Sequence, residues 1–105
     1  MILVADSGST KCDWILTDDN NEIPTGTMGF NPFFHSTDLI LNKIKENEIL
    51  SDNISNISAV YFYGAGCSSP ERNTIVENAL RLAFPEATEI VVDHDETAAA
   101  IATCG

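Results

Sequence analysis

Positive charge is scarce in this chain: 5 Lys and Arg stand against 16 Asp and Glu in 105 residues, a formal net charge of −11. A surface of that sign repels a phosphate backbone, so general binding to nucleic acid or to an anionic membrane is disfavoured. A small anionic ligand is not excluded, because backbone N–H groups and a bridging Mg²⁺ can hold one in a chain that is negative overall. Cysteine is sparse as well. Cys12, Cys67 and Cys104 are odd in number and far apart, with no Cys-x-x-Cys pair and no His at finger-like spacing, which argues against a zinc site or a disulfide framework. No cationic region precedes the apolar run Met1–Ala5, which Asp6 ends, and no run approaches the ~20 apolar residues of a membrane span. A reduced, cytoplasmic setting is expected. Repeats, low-complexity tracts and Pro/Gly-rich linkers are missing too, so residues 1–105 read as one domain.

What is present is an ordinary globular composition, 44% hydrophobic and 20% charged, which excludes intrinsic disorder as the default. The apolar run Ile2–Ala5 reads as a strand and stops at Ser7-Gly8-Ser9. Cys12–Thr17 is β-branched and aromatic enough for a second strand, and the turn formers Asp18-Asp19-Asn20-Asn21 lead into a third near Glu22–Met28. Ser36 or Thr37 can cap a helix carrying Ile40, Leu41 and Ile44 on one face and running to about Leu50. Ala59–Tyr63 is a buried-strand pattern that meets Gly64-Ala65-Gly66. A capping box from Ser68 to Glu71 with Pro70 opens a second helix with a stripe of Ile75, Val76, Ala79, Leu80 and Ala83, ending before Pro85. Thr88–Val92 reads as a fifth strand and the Ala-rich Thr97–Thr103 as a third helix. The order βββαβαβα predicts an α/β fold with strands one, four and five parallel in the centre of a mixed sheet and helices on its faces.

At the carboxyl ends of those parallel strands, where open α/β sheets bind ligands, fall Asp6-Ser7-Gly8-Ser9-Thr10-Lys11, Gly64-Ala65-Gly66 and Asp93-His94-Asp95. The first segment offers a carboxylate, a Gly turn whose N–H groups can approach phosphate, hydroxyls and a cation, which fits phosphate with Mg²⁺. It also fits a plain hairpin with Lys11 in water. It is not the Gly-x-x-x-x-Gly-Lys-Ser/Thr loop, and it joins two strands instead of opening a helix. Gly64 and Gly66 suit either close ligand approach or a strand-to-helix turn that needs free dihedrals. His35 and His94 are not assigned to metal, since no third ligand stands at a recognisable spacing. Phe30, Phe33 and Phe34 read as packing residues before a sugar-stacking platform.

Asp6-Ser7-Gly8-Ser9-Thr10-Lys11 followed by Trp14-Ile15-Leu16 resembles the first phosphate motif of the actin, hsp70 and sugar-kinase superfamily, in its N-acetylglucosamine kinase and BadF/BadG/BcrA/BcrD ATPase branch. Phe30-Asn31-Pro32, Tyr61–Cys67, Asp95–Ala100 and Cys104-Gly105 are similar to later landmarks of that branch in the same order. The resemblance implies a ribonuclease H-like (actin-like ATPase) lobe that uses ATP and Mg²⁺. It implies that Asp6 holds Mg²⁺ through water, that Gly8, Ser9, Thr10 and Lys11 meet the β and γ phosphates, and that Asn31, with Gly64 and Gly66 beside it, contacts the sugar. Asp95 is similar to the base that takes the proton of the attacking sugar hydroxyl, with Asp93 and Glu96 close enough to contest the assignment. An acidic N-cap of the third helix is the other reading of Asp95.

Proteins of this superfamily have two lobes with ATP between them, and the second phosphate motif and adenosine segments are not in this sequence. The expectation is therefore the first lobe of an ATP-dependent amino-sugar kinase, which would make the 6-phosphate of N-acetylglucosamine, with the lobe inactive alone. Two alternatives stand beside it: an activator ATPase of the 2-hydroxyacyl-CoA dehydratase type, and a non-catalytic assembly module that forms a homodimer through exposed lobe surface. The expected partners are small molecules, amino sugar and nucleotide.

Overall fold

Alternation along the strands decides which face of the sheet each side chain takes. The computed structural model describes residues 1–8, 10–18, 20–29, 36–64 and 70–93, with residue 72 described by its backbone alone. It contains strands β1 (Ile2–Ser7), β2 (Lys11–Thr17), β3 (Glu22–Met28), β4 (Ala59–Gly64) and β5 (Glu89–Asp93), and helices α1 (Thr37–Glu46), α2 (Glu48–Asp52) and α3 (Pro70–Ala83), with a 3-10 turn at Ile54–Asn56. The sheet order is β3-β2-β1-β4-β5. β1 is antiparallel to β2 and β2 to β3, whereas β1, β4 and β5 run parallel. The parallel trio is as expected, but β5 forms the edge of the described sheet and the centre is β2, β1 and β4.

One face of the sheet carries Leu3 and Ala5, Cys12, Trp14 and Leu16, and Val60 and Phe62, all fully buried. Against them pack Ile40 and Ile44 of α1 and Val76, Ala79 and Leu80 of α3, with Leu50, Ile57 and Phe84 closing the ends. Each such large side chain contributes on the order of ~1.5–3 kcal/mol by leaving water. The Trp14 and Phe62 rings meet with centroids 5.9 Å apart at 59°, the tilted arrangement that aromatic quadrupoles favour. On the opposite face Ile2 and Ile15 remain 37% and 36% exposed.

The first helix does not run on to Leu50. Asn47 breaks it, and the reason is tertiary: its Nδ2 donates to Thr25 Oγ1 at 2.9 Å and to the Gly26 carbonyl at 3.1 Å on β3. Those bonds hold Asn47 in extended geometry (φ −81°, ψ 118°), while its Oδ1 accepts from Leu50 N–H and so starts α2. The expected turn after β2 forms as read, with Asp18 Oδ1 accepting the N–H groups of Asn20 and Asn21 at 3.0 and 2.9 Å. Those two bonds hold the Asp18 carboxyl below its usual pKa. No helix among the described residues is long and apolar enough to cross a membrane. The expected third helix at 97–103 and the capping residue Ser68 lie outside the described residues.

Candidate functional site

β1 is longer than its apolar run because the ladder with β2 continues through Asp6↔Asp13 and Ser7↔Cys12. This carries two polar residues to the carboxyl edge of the parallel strands, on opposite faces. Asp6 is exposed on the face away from α1 and α3, and Ser7 is 3% exposed on the face those helices cover. The chain then turns, and Gly8 N–H donates to the Lys11 carbonyl at 2.8 Å, so the turn closes on itself.

No described glycine has a positive φ, and among the described residues a Cβ built on Gly8 would meet nothing closer than the Lys11 carbonyl at 3.5 Å, an ordinary contact. Neither backbone conformation nor packing among the described residues requires glycine there. A missing side chain at this turn suits close approach of a phosphate. The carboxylate of Asp6 one step away has the chemistry to hold a hydrated Mg²⁺.

Register lines up two rows at this edge. On the face away from α1 and α3, Asp13, Asp6, Tyr63 and Asp93 are neighbours across β2, β1, β4 and β5. Asp6 and Asp93 are therefore two strand spacings apart, roughly 10 Å. Lys11 shares that face, its Nζ 3.9 Å from Asp13 Oδ2 in an exposed pair. On the helix-covered face Thr27, Cys12, Ser7 and Gly64 line up across β3, β2, β1 and β4. Here Trp14 Nε1 donates to Thr27 Oγ1 at 2.9 Å, and Thr27 Oγ1 donates to the Met28 carbonyl at 3.0 Å. Burial pushes the Cys12 thiol up to about 12 against the smaller opposing effect of the Ser7 and Thr27 hydroxyls beside it, so it stays protonated.

The structure thus brings together Asp6, Gly8, Thr10 and Lys11 at one edge, with Gly64 directly beside Ser7. Ser9, Asn31, Gly66 and Asp95 lie outside the described residues, as do Glu96, His35, His94, Cys67, Cys104 and the three Phe of 30–34. Sequence reasoning passed over Asp13 and Thr27. Period-two alternation places Asp13 on the face of Lys11, but its pairing with Asp6 and that of Thr27 with Cys12 depend on hairpin register. No group of three or more metal-capable side chains occurs among the described residues. A surface hollow of about 510 Å³ lined by Met1, Ile2, Thr17, Asp18, Asn20 and Asn21 lies at the other edge of the sheet, where Ile2 pairs with Thr17, away from these rows.

No protein-family model matches the chain, and no curated protein sequence does. Among solved structures it is similar to a crystal structure of a Porphyromonas gingivalis protein provisionally named as an N-acetylglucosamine kinase, with a TM-score of 0.76 and 37% identity over 89% of this chain. The match covers 34% of that protein, so the chain spans about a third of the length of its structural relative. With the five-stranded mixed sheet, this likeness places the chain as an N-terminal lobe of N-acetylglucosamine kinase-like type, on an actin-like α/β fold.

Proposed function

We propose that this lobe serves an ATP-dependent sugar kinase whose substrate is N-acetylglucosamine or a related amino sugar. The observation that carries the reading is the edge just described: an exposed Asp6 at the end of the strand that pairs with Gly64, followed by a Gly8 that no contact among the described residues requires. Phosphoryl transfer asks a protein chiefly for positioning and charge stabilisation. Bound Mg·ATP would supply the transferable phosphoryl group and neutralise its charge. In this chain Asp6 would hold the metal through water, Gly8 would leave room for the phosphates at the turn, and Ser9, Thr10 and Lys11 would offer hydroxyls and an ammonium to the β and γ phosphates. Asn31, Gly64 and Gly66 would border the sugar, and Asp95 would accept the proton of its attacking hydroxyl. A second lobe would close the nucleotide site, and the cytoplasm, where ATP is abundant and Cys12 stays a thiol, is the proposed setting.

The test is ADP release by the protein that carries this lobe, across a panel of amino sugars. The expected result is sugar-dependent ADP release that Asp95→Asn lowers by about two to four orders of magnitude, the usual worth of a positioned base. Unchanged turnover in Asp95→Asn would remove the base assignment, and ADP release with no sugar dependence would remove the kinase reading. Exposed Ile2 and Ile15 favour a second reading, association of copies through the part of the sheet face that carries them. Light scattering across a wide concentration range decides it, and a monomer throughout would reject it.

A further inference from the structure

We infer that Thr27 is a positioning residue for the phosphate turn, holding both stems of that turn against the buried indole of Trp14. The inference rests on the kinase reading and adds to it a residue that never touches the ligand. Thr27 pairs with Cys12, and the next residue, Met28, pairs with Lys11 at the far end of the turn. The Thr27 hydroxyl accepts from Trp14 Nε1 at 2.9 Å and donates to the Met28 carbonyl at 3.0 Å. Trp14 is fully buried and packed on Phe62, so one partner of the hydroxyl is fixed by the core. The other partner is the strand residue that Lys11 lies against. Cys12, on the same stem as Lys11, lies across the ladder from both Thr27 and Ser7, its thiol beside their hydroxyls, and Ser7 on the near stem leads into Gly8.

The arrangement matters because β3 ends the described sheet, paired with β2 alone and held otherwise by the Asn47 bonds to Thr25 and Gly26, just short of Thr27. Edge strands are the ones that fray, and a phosphate-binding turn works only if its N–H groups are held within about 0.5 Å of their working positions. A threonine can accept from the indole and donate to Met28 at once. Valine of the same shape can do neither, and serine can do both.

The experiment compares Thr27→Val and Thr27→Ser in the protein that carries this lobe. Calorimetry measures Mg·ADP affinity, and hydrogen exchange of the Gly8 amide, without ligand, measures the turn itself. In Thr27→Val, Mg·ADP binding is expected to weaken about tenfold and Gly8 exchange to quicken about tenfold, with Thr27→Ser within about twofold of wild type in both. Trp14→Phe removes the same bond from its other end and is expected to follow Thr27→Val, so loss of folding in one variant leaves the other decisive. Near-wild-type affinity and exchange in Thr27→Val, with Trp14 emission shifted by loss of its acceptor, would overturn the inference. A wild type that binds no Mg·ADP overturns the kinase reading, and Gly8 exchange in Thr27→Val then decides the positioning role by itself.

Discussion

Gly8→Ala separates stability from ligand binding at one position. The added methyl meets the Lys11 carbonyl at 3.5 Å, and the backbone there has no positive φ for alanine to resist. Replacing glycine at a compatible position lowers the entropy of the unfolded chain and stabilises by roughly 0.4–1 kcal/mol. The variant is thus expected to melt at or slightly above the wild-type temperature, by up to about 4–8 °C for a domain of this size. Nucleotide binding should move the other way. A methyl in the space where phosphate approaches the turn displaces at least one charge-assisted hydrogen bond, worth about 1.5–3 kcal/mol, which is roughly a 10- to 150-fold loss of Mg·ADP affinity. Urea melts and calorimetry on the same preparation give both numbers. A destabilisation above about 2 kcal/mol would show that the glycine is structural after all. Unchanged affinity with unchanged stability would mean that no phosphate comes near Gly8.

Asn47→Ala removes the cap of α2 and both latches to β3, and should cost about 2–3 kcal/mol in chemical denaturation, with Asn47→Asp recovering the cap alone. Phe62→Ala opens a cavity against Trp14 and should cost roughly 3–5 kcal/mol, read in the same melts. The Cys12 thiol, raised from 9.0 to about 12, keeps its proton in the folded chain while the unfolded chain loses it, so stability should fall by about 1.4 kcal/mol per pH unit between those values. Cys12→Ala should flatten that part of the pH–stability curve. In a Cys67→Ser, Cys104→Ser background, Cys12 should resist iodoacetamide at neutral pH until the protein is unfolded.

Local signals were legible in the sequence, and non-local pairings were not. Glu22–Met28 is read at its observed bounds because turn formers flank it, and Pro70 marks the first residue of α3 as its fixed φ suggests. Asp6 and Ser7 extend β1 beyond its apolar run only because Asp13 and Cys12 lie opposite, which no hydrophobic pattern along β1 can reveal. Asn47 carries no helix-breaking signal as strong as Gly or Pro, and its bonds to Thr25 and Gly26 cross about twenty residues of sequence. The residues proposed for the phosphate turn could be named from the sequence for the opposite reason, since Asp6 to Lys11 are contiguous. Thr27 was hidden because its significance lies in what stands across the ladder.

The two rows at the sheet edge give this part of the chain a parity. Around the turn, Asp6, Lys11 and Asp13 look toward solvent, and Ser7, Cys12 and Thr27 look toward the core. Substitutions here should therefore sort by odd and even position within each strand, those of one parity changing ligand affinity and those of the other changing how firmly the turn is held. Insertion of a single residue into the stem between Lys11 and Trp14 would exchange the two sets, aiming a carboxylate at the core and a thiol at solvent. The length of this hairpin is consequently as much a part of the site as the identity of any residue in it.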